Sequence, residues 1–113
     1  MIATTIEQSK RLIELGLNTN TADMRYEEIP GIQGEYKLVF SKPNNKWEIP
    51  AWSLSALLGL IKPVNENTYT IQGTLDGGAI ISFEEVTSVA FQENNILDAV
   101  FEMVKYLLEN KLI

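Results

Sequence analysis

Apolar residues recur at helical spacing in three stretches of this chain and alternate at strand spacing between them. Ile6, Leu12, Ile13 and Leu15 form the first stripe. Thr4 with Glu7, or Thr5 with Gln8, has capping-box spacing ahead of it. Gly16 suits the left-handed residue that follows a helix, with Leu17 as its apolar contact, so a helix is predicted from Thr5 to Leu15. Glu7 and Arg11 stand four apart on its outer face in the favourable order. A second helix starts at the N-cap Ser53 and runs to Ile61, before Pro63. Leu54, Leu57, Leu58 and Ile61 form its stripe, and Ala56 and Leu60 widen it enough to suggest cover on more than one side. The third runs from Ile96 to Asn110, capped by Asn94 or Asn95, with Leu97, Val100, Phe101, Val104, Leu107 and Leu108 inward. Asp98 falls in its first turn, where the helix dipole favours an acid.

The segments between read as strands and turns. Residues 18–34 are rich in turn formers, with Thr21-Ala22-Asp23-Met24 as a single helical turn capped by Asn20 or Thr21. From Glu35 to Ser41 the pattern alternates, with Tyr36, Leu38 and Phe40 on one side. Lys42-Pro43-Asn44-Asn45 is a turn and Lys46 to Ile49 a short return strand, which Pro50 ends or confines to an edge. Thr68 to Leu75 and Ala79 to Phe83 form a hairpin across Asp76-Gly77-Gly78. A bend at Glu84-Glu85 leads to a last strand from Val86 to Phe91. The order is α-β-β-α-β-β-β-α. Short connections predict one antiparallel meander of about four or five strands with the three helices on one face, an α+β domain over residues 1–113.

Composition narrows the chemistry. The chain has no cysteine and no histidine, which excludes disulfides, thiol nucleophiles, Ser-His-Asp hydrolysis and zinc sites of the usual nitrogen–sulfur kind. A hydrophobic share of 45% beside 21% charged residues is that of a globular protein. The longest uncharged run, from Ile49 to Ile61, has thirteen residues, short of the roughly 20 that span a bilayer. Residues 1–6 carry no basic residue and no apolar signal core, so a cytoplasmic protein without membrane association is expected. The net charge is -6, and no basic residue lies between Lys62 and Lys105. That opposes direct contact with nucleic acid, which needs clustered Lys and Arg.

Three stretches carry a resemblance. They are Ile6 to Gly16 running on to Thr21-Ala22-Asp23-Met24, then Ile49-Pro50-Ala51-Trp52-Ser53-Leu54-Ser55-Ala56-Leu57-Leu58, and last Leu97 to Val104 with Leu107 to Lys111. Together, over about half of the chain, they resemble small proteins of unknown function common in gut Bacteroidetes, often of phage or mobile-element type. Members of that family often carry tryptophan where Tyr106 stands here. The resemblance implies a bacterial, intracellular protein and brings no catalytic residue, cofactor or metal with it.

The candidate residues divide accordingly. Trp47 and Trp52 are either anchors for a protein partner or closures of the core, and Trp47 is the better choice for an exposed one. Asp23, Met24 and Tyr26 lie in a turn-rich segment that reads as a recognition surface, or, for Asp23, as a local cap. Glu84, Glu85, Asp76 and Glu66 are the acids from which a carboxylate pair would be drawn, although neighbours on a strand face opposite ways. Gly73 to Gly78 lacks the Lys-Ser/Thr of a phosphate loop, and Asp76-Gly77-Gly78 supplies one carboxylate where calcium loops need several oxygens. The favoured expectation is a non-enzymatic protein that acts through contact with a protein partner or with further copies of itself. The alternative is an acidic decoy that inhibits a nucleic-acid-binding protein, and a carboxylate enzyme comes third.

Overall fold

The computed structural model describes residues 2–61, 69–73, 79–83 and 89–113. Among these residues, three helices and two three-stranded antiparallel sheets make up an α+β fold. Helix α1 (Ile6–Glu14) opens with Thr5 and Gln8 in a complete capping box, the second of the two spacings considered. It ends where Gly16, at φ 95°, lets the N–H groups of Gly16 and Leu17 reach the carbonyls of Ile13 and Leu12 at 3.0 and 3.1 Å. A short 3₁₀ turn (Thr19–Thr21), capped by Asn18, replaces the helical turn expected at Thr21 to Met24. Met24 instead opens a strand, β1 (Met24–Glu28).

That strand is central to the first sheet, whose order is β2-β1-β3, with β2 at Tyr36–Val39 and β3 at Ile49–Ala51. Both neighbours run antiparallel to β1, so they run parallel to one another with β1 between them. Arg25 is opposite Val39 on one side and Pro50 on the other. Residues 40–48 therefore cross over the sheet; they do not return as a hairpin. A crossover this short closes because the strands it joins are only about 10 Å apart, twice the strand spacing. Pro50 lies in the edge strand, where its missing N–H costs least. Beyond Ala51 the edge is covered by the N-terminal residues: Ala3 bridges to Ser53, and the Thr4 N–H donates to the Trp52 carbonyl at 2.9 Å.

The second sheet is a meander of β4 (Tyr69–Gly73), β5 (Ala79–Phe83) and β6 (Val89–Glu93). Tyr69, Ile71 and Gly73 pair with Phe83, Ile81 and Ala79, so the two strands expected there do run antiparallel as a pair. Two sheets of three thus replace the single meander of four or five, because the unforeseen β1 organises β2 and β3 separately. Helix α2 (Leu54–Ile61) packs on α3 (Ile96–Glu109), α3 packs on β5 and β6, and α1 packs on β3. The core joins Leu12, Trp52, Leu57 and Ile61 to one face of α3 through Leu97, Val100, Met103, Val104 and Leu107. Ile13 stays partly in water, and its expected place in the stripe goes to Ser9, whose hydroxyl shares a buried hydrogen bond of 2.8 Å with Thr4. Arg11 pairs with Glu14 at 3.3 Å and with Glu109 at 4.0 Å in place of Glu7. Among the described residues no helix is long and apolar enough to cross a membrane.

Candidate functional site

The crossover 40–48 has no strand partners of its own, so its backbone is held by other means. Alternation along β1 puts Arg25 and Glu27 on the face opposite Met24 and Tyr26. The Arg25 guanidinium donates through Nη1 to Ser41 Oγ and, at 2.7 Å, to the carbonyl of Lys42. Through Nε and Nη2 it meets Glu27 Oε2 at 3.1 and 3.0 Å, and Nε also faces Glu48 Oε2. Glu48 completes the clamp with its other oxygen, which accepts the backbone N–H groups of Asn44 at 2.6 Å and Asn45 at 3.0 Å. The side chains of Arg25 and Glu48 are only 11% and 9% exposed, so a nearly buried ion pair ties both ends of the crossover to the sheet.

Burial of the Glu48 carboxylate opposes its charge, but the N–H donors of Asn44 and Asn45 and the Arg25 guanidinium outweigh it and hold its pKa below the usual carboxylate range. A carboxyl depressed in the folded state stabilises it above the unfolded pKa, and that contribution is lost as pH falls through the folded value. Glu48→Gln is therefore less stable than the parent at about pH 6 and converges with it at about pH 2 in urea titrations. An undiminished gap at the acid end would contradict this assignment.

Between the crossover and the 3₁₀ turn lies an open cavity of about 350 Å³. Thr19, Asn20 and Ala22 form one side of it, residues 42–45 line the other, and Pro50 completes it. Trp47 stands clear of this cavity lining. Asn45 Oδ1 accepts the Trp47 N–H at 3.0 Å, and the Lys46 ammonium sits 5.6 Å from the indole centroid, yet the residue is 77% exposed. Phe40, expected beside Tyr36 and Leu38, comes just after β2 ends and is 67% exposed on the same segment.

The other proposed contact residues are engaged internally. Trp52 is fully buried, with Nε1–H donating to Thr21 Oγ1 at 2.9 Å and its backbone N–H to Thr4 Oγ1 at 3.1 Å. It closes the core and offers a partner no surface. Asp23 accepts from the Ser53 backbone N–H at 2.9 Å and from the Ser53 hydroxyl, which in turn accepts the Ala56 N–H; the aspartate thus fixes the start of α2. Tyr26 is half-buried and donates its hydroxyl to the Thr4 carbonyl at 2.8 Å, and burial raises its phenol pKa. Met24 is half-buried at the start of β1, one residue after Asp23. Only Trp47 of the five presents its side chain broadly to solvent.

Arg25 and Glu48, which build the site, were not singled out from the sequence. A lone arginine flanked by Met24 and Tyr26 in an alternating run is the one local signal. Glu66, Asp76, Glu84 and Glu85 lie outside the described residues, as do Gly77 and Gly78, so the carboxylate pair and the glycine loop do too. Of the acids between Lys62 and Lys105, Asp98 is engaged by Gln8 at 2.9 Å and by its N-cap Asn95, while Glu102 pairs with Lys105 at 3.0 Å. No family model matches this chain, and no curated protein or solved structure shows significant similarity to it.

Proposed function

We propose that this protein is a small non-enzymatic binding domain that recognises a protein partner through the crossover 40–48, with Trp47 as its anchor. The observation that carries this reading is a tryptophan left 77% exposed on a segment clamped from beneath by a nearly buried ion pair. A large indole in water forgoes about 1.5–3 kcal/mol of burial, so its exposure favours any surface able to cover it. Desolvating an arginine and a glutamate is costly, and the return here is a loop with one geometry. A loop ordered beforehand loses little entropy on binding, which leaves more of the contact energy as affinity. Phe40 on the same segment adds apolar area, and Lys42 and Lys46 favour an acidic rim on the partner.

Trp47→Ala is expected to weaken partner binding by about thirtyfold, the loss typical of a central aromatic anchor. Its unfolding free energy should stay within about 0.5 kcal/mol of the parent, since the side chain supports nothing in the core. Quantitative affinity purification from the source organism, comparing the parent, Trp47→Ala and Ile32→Ala (Ile32 being 52% exposed on another loop), reads the effect directly. A partner lost only with Trp47→Ala supports the reading; partners retained equally by all three proteins reject it. Sedimentation of the purified chain identifies the case in which the partner is a second copy.

A further inference from the structure

The cavity beside the crossover differs from the rest of this acidic chain in the balance of its hydrogen-bonding groups. Among the described residues, no carboxylate lines it. Lys42 forms no ion pair through its ammonium, and the side-chain amides of Asn20 and Asn44 form no hydrogen bond, among the described residues. Asn45 is already oriented: its Oδ1 accepts the Trp47 N–H, which leaves its NH₂ as the end available to a ligand. The neighbouring acids, Glu27 and Glu48, are held on Arg25, and the Asn44 and Asn45 backbone N–H groups are held by Glu48. Among the described residues, the lining thus comprises one lysine without an ion-pair partner and three asparagines on two facing segments, with Thr19 beside them. The rings of Pro43 and Pro50 supply rigid apolar wall. A surplus of donors with a single positive charge complements an acceptor-rich, negatively charged group.

We infer that this cavity is an oxyanion site, which takes the carboxylate or phosphate group of a small ligand. Its volume of about 350 Å³ is at the lower end of the range for small-molecule sites. The ammonium of Lys42 supplies the charge, and the amides of Asn20, Asn44 and Asn45 orient the oxygens. This inference does not rest on recognition by Trp47, which lies outside the lining residues.

The test is a titration of the isotope-labelled chain at constant ionic strength with inorganic phosphate, with succinate and with glucose, followed through amide resonances. Saturable shifts confined to residues 19–22 and 42–45 with phosphate or succinate, and absent with glucose, are expected; the tighter of the two anions tells which group the site takes. Lys42→Gln should weaken that binding by about tenfold or more while leaving the thermal midpoint unchanged. Saturation by glucose, shifts that never saturate with either anion, or equal affinity in Lys42→Gln would each overturn the assignment. Trp47→Ala, titrated in parallel, should bind the anion as the parent does, so failure of the partner reading and failure of this site are told apart.

Discussion

Replacing Trp52 with alanine lowers the unfolding free energy by about 3–5 kcal/mol, the cost of truncating a large buried aromatic. Such a side chain hides about 150–250 Å², worth roughly 4–6 kcal/mol at about 25 cal/mol per Å². Trp52 is fully buried among residues of α1, α2 and α3. A domain of this size has about 5–15 kcal/mol in hand, so the variant retains at best a thin margin at room temperature. Trp52→Phe separates the contributions. It keeps much of the apolar area and removes the indole donor to Thr21, whose hydroxyl is exposed and can turn to water, at about 1 kcal/mol. Denaturant unfolding of both variants checks the assignment, and a loss below about 1 kcal/mol for the alanine would show that this tryptophan does not close the core.

The second large effect is expected at Arg25. Arg25→Ala removes the cation from beneath the crossover and leaves Glu48 and Glu27 facing one another with no guanidinium between them. An unpaired charge at a nearly buried position is among the few causes of severe destabilisation by one substitution. The thermal midpoint should fall by on the order of 10 °C, and the loss should be larger near neutral pH than in acid. Adding Glu48→Gln to Arg25→Ala should restore part of the loss, since the stranded carboxylate is then gone. Strict additivity of the two substitutions would mean that the pair is not coupled.

The elements that were legible in the sequence are those whose signals are local. Thr5 with Gln8 marks the start of α1 and Gly16 its end, and the observed helix, Ile6–Glu14, lies between Thr5 and Gly16. Long apolar periodicity does the same for α3, which was placed to within one residue at its C-terminal end. Alternation on either side of a short glycine turn marked β4 and β5 as an antiparallel pair. The first sheet was not legible, because its middle strand carries a charged residue at a position that is buried. Arg25 reads as a surface residue until Ser41, Lys42 and Glu48 arrive from later in the chain to satisfy it. Without β1, the run from Tyr36 to Ala51 can only look like a hairpin, and Phe40 is assigned to its inner side. Of the two tryptophans, Trp47 was already the better choice for the exposed one, but the enclosure of Trp52 was not legible. What separates them is the N-terminal residue Thr4 and the 3₁₀ residue Thr21, which enclose Trp52, while Trp47 rides on the crossover. The cavity was invisible for the same reason, since its two walls come from segments about twenty residues apart.

Recognition through Trp47 requires that Arg25 and Glu48 hold residues 40–48 in one conformation. Native-state amide exchange at Asn44 and Asn45 measures that holding directly, because both N–H groups donate to Glu48. Both amides should be protected well beyond unfolded-chain rates in the parent and should lose that protection in Glu48→Ala, which removes the acceptor, while the amides of α3 keep theirs. Exchange of Asn44 and Asn45 at unfolded-chain rates in the parent protein would contradict it.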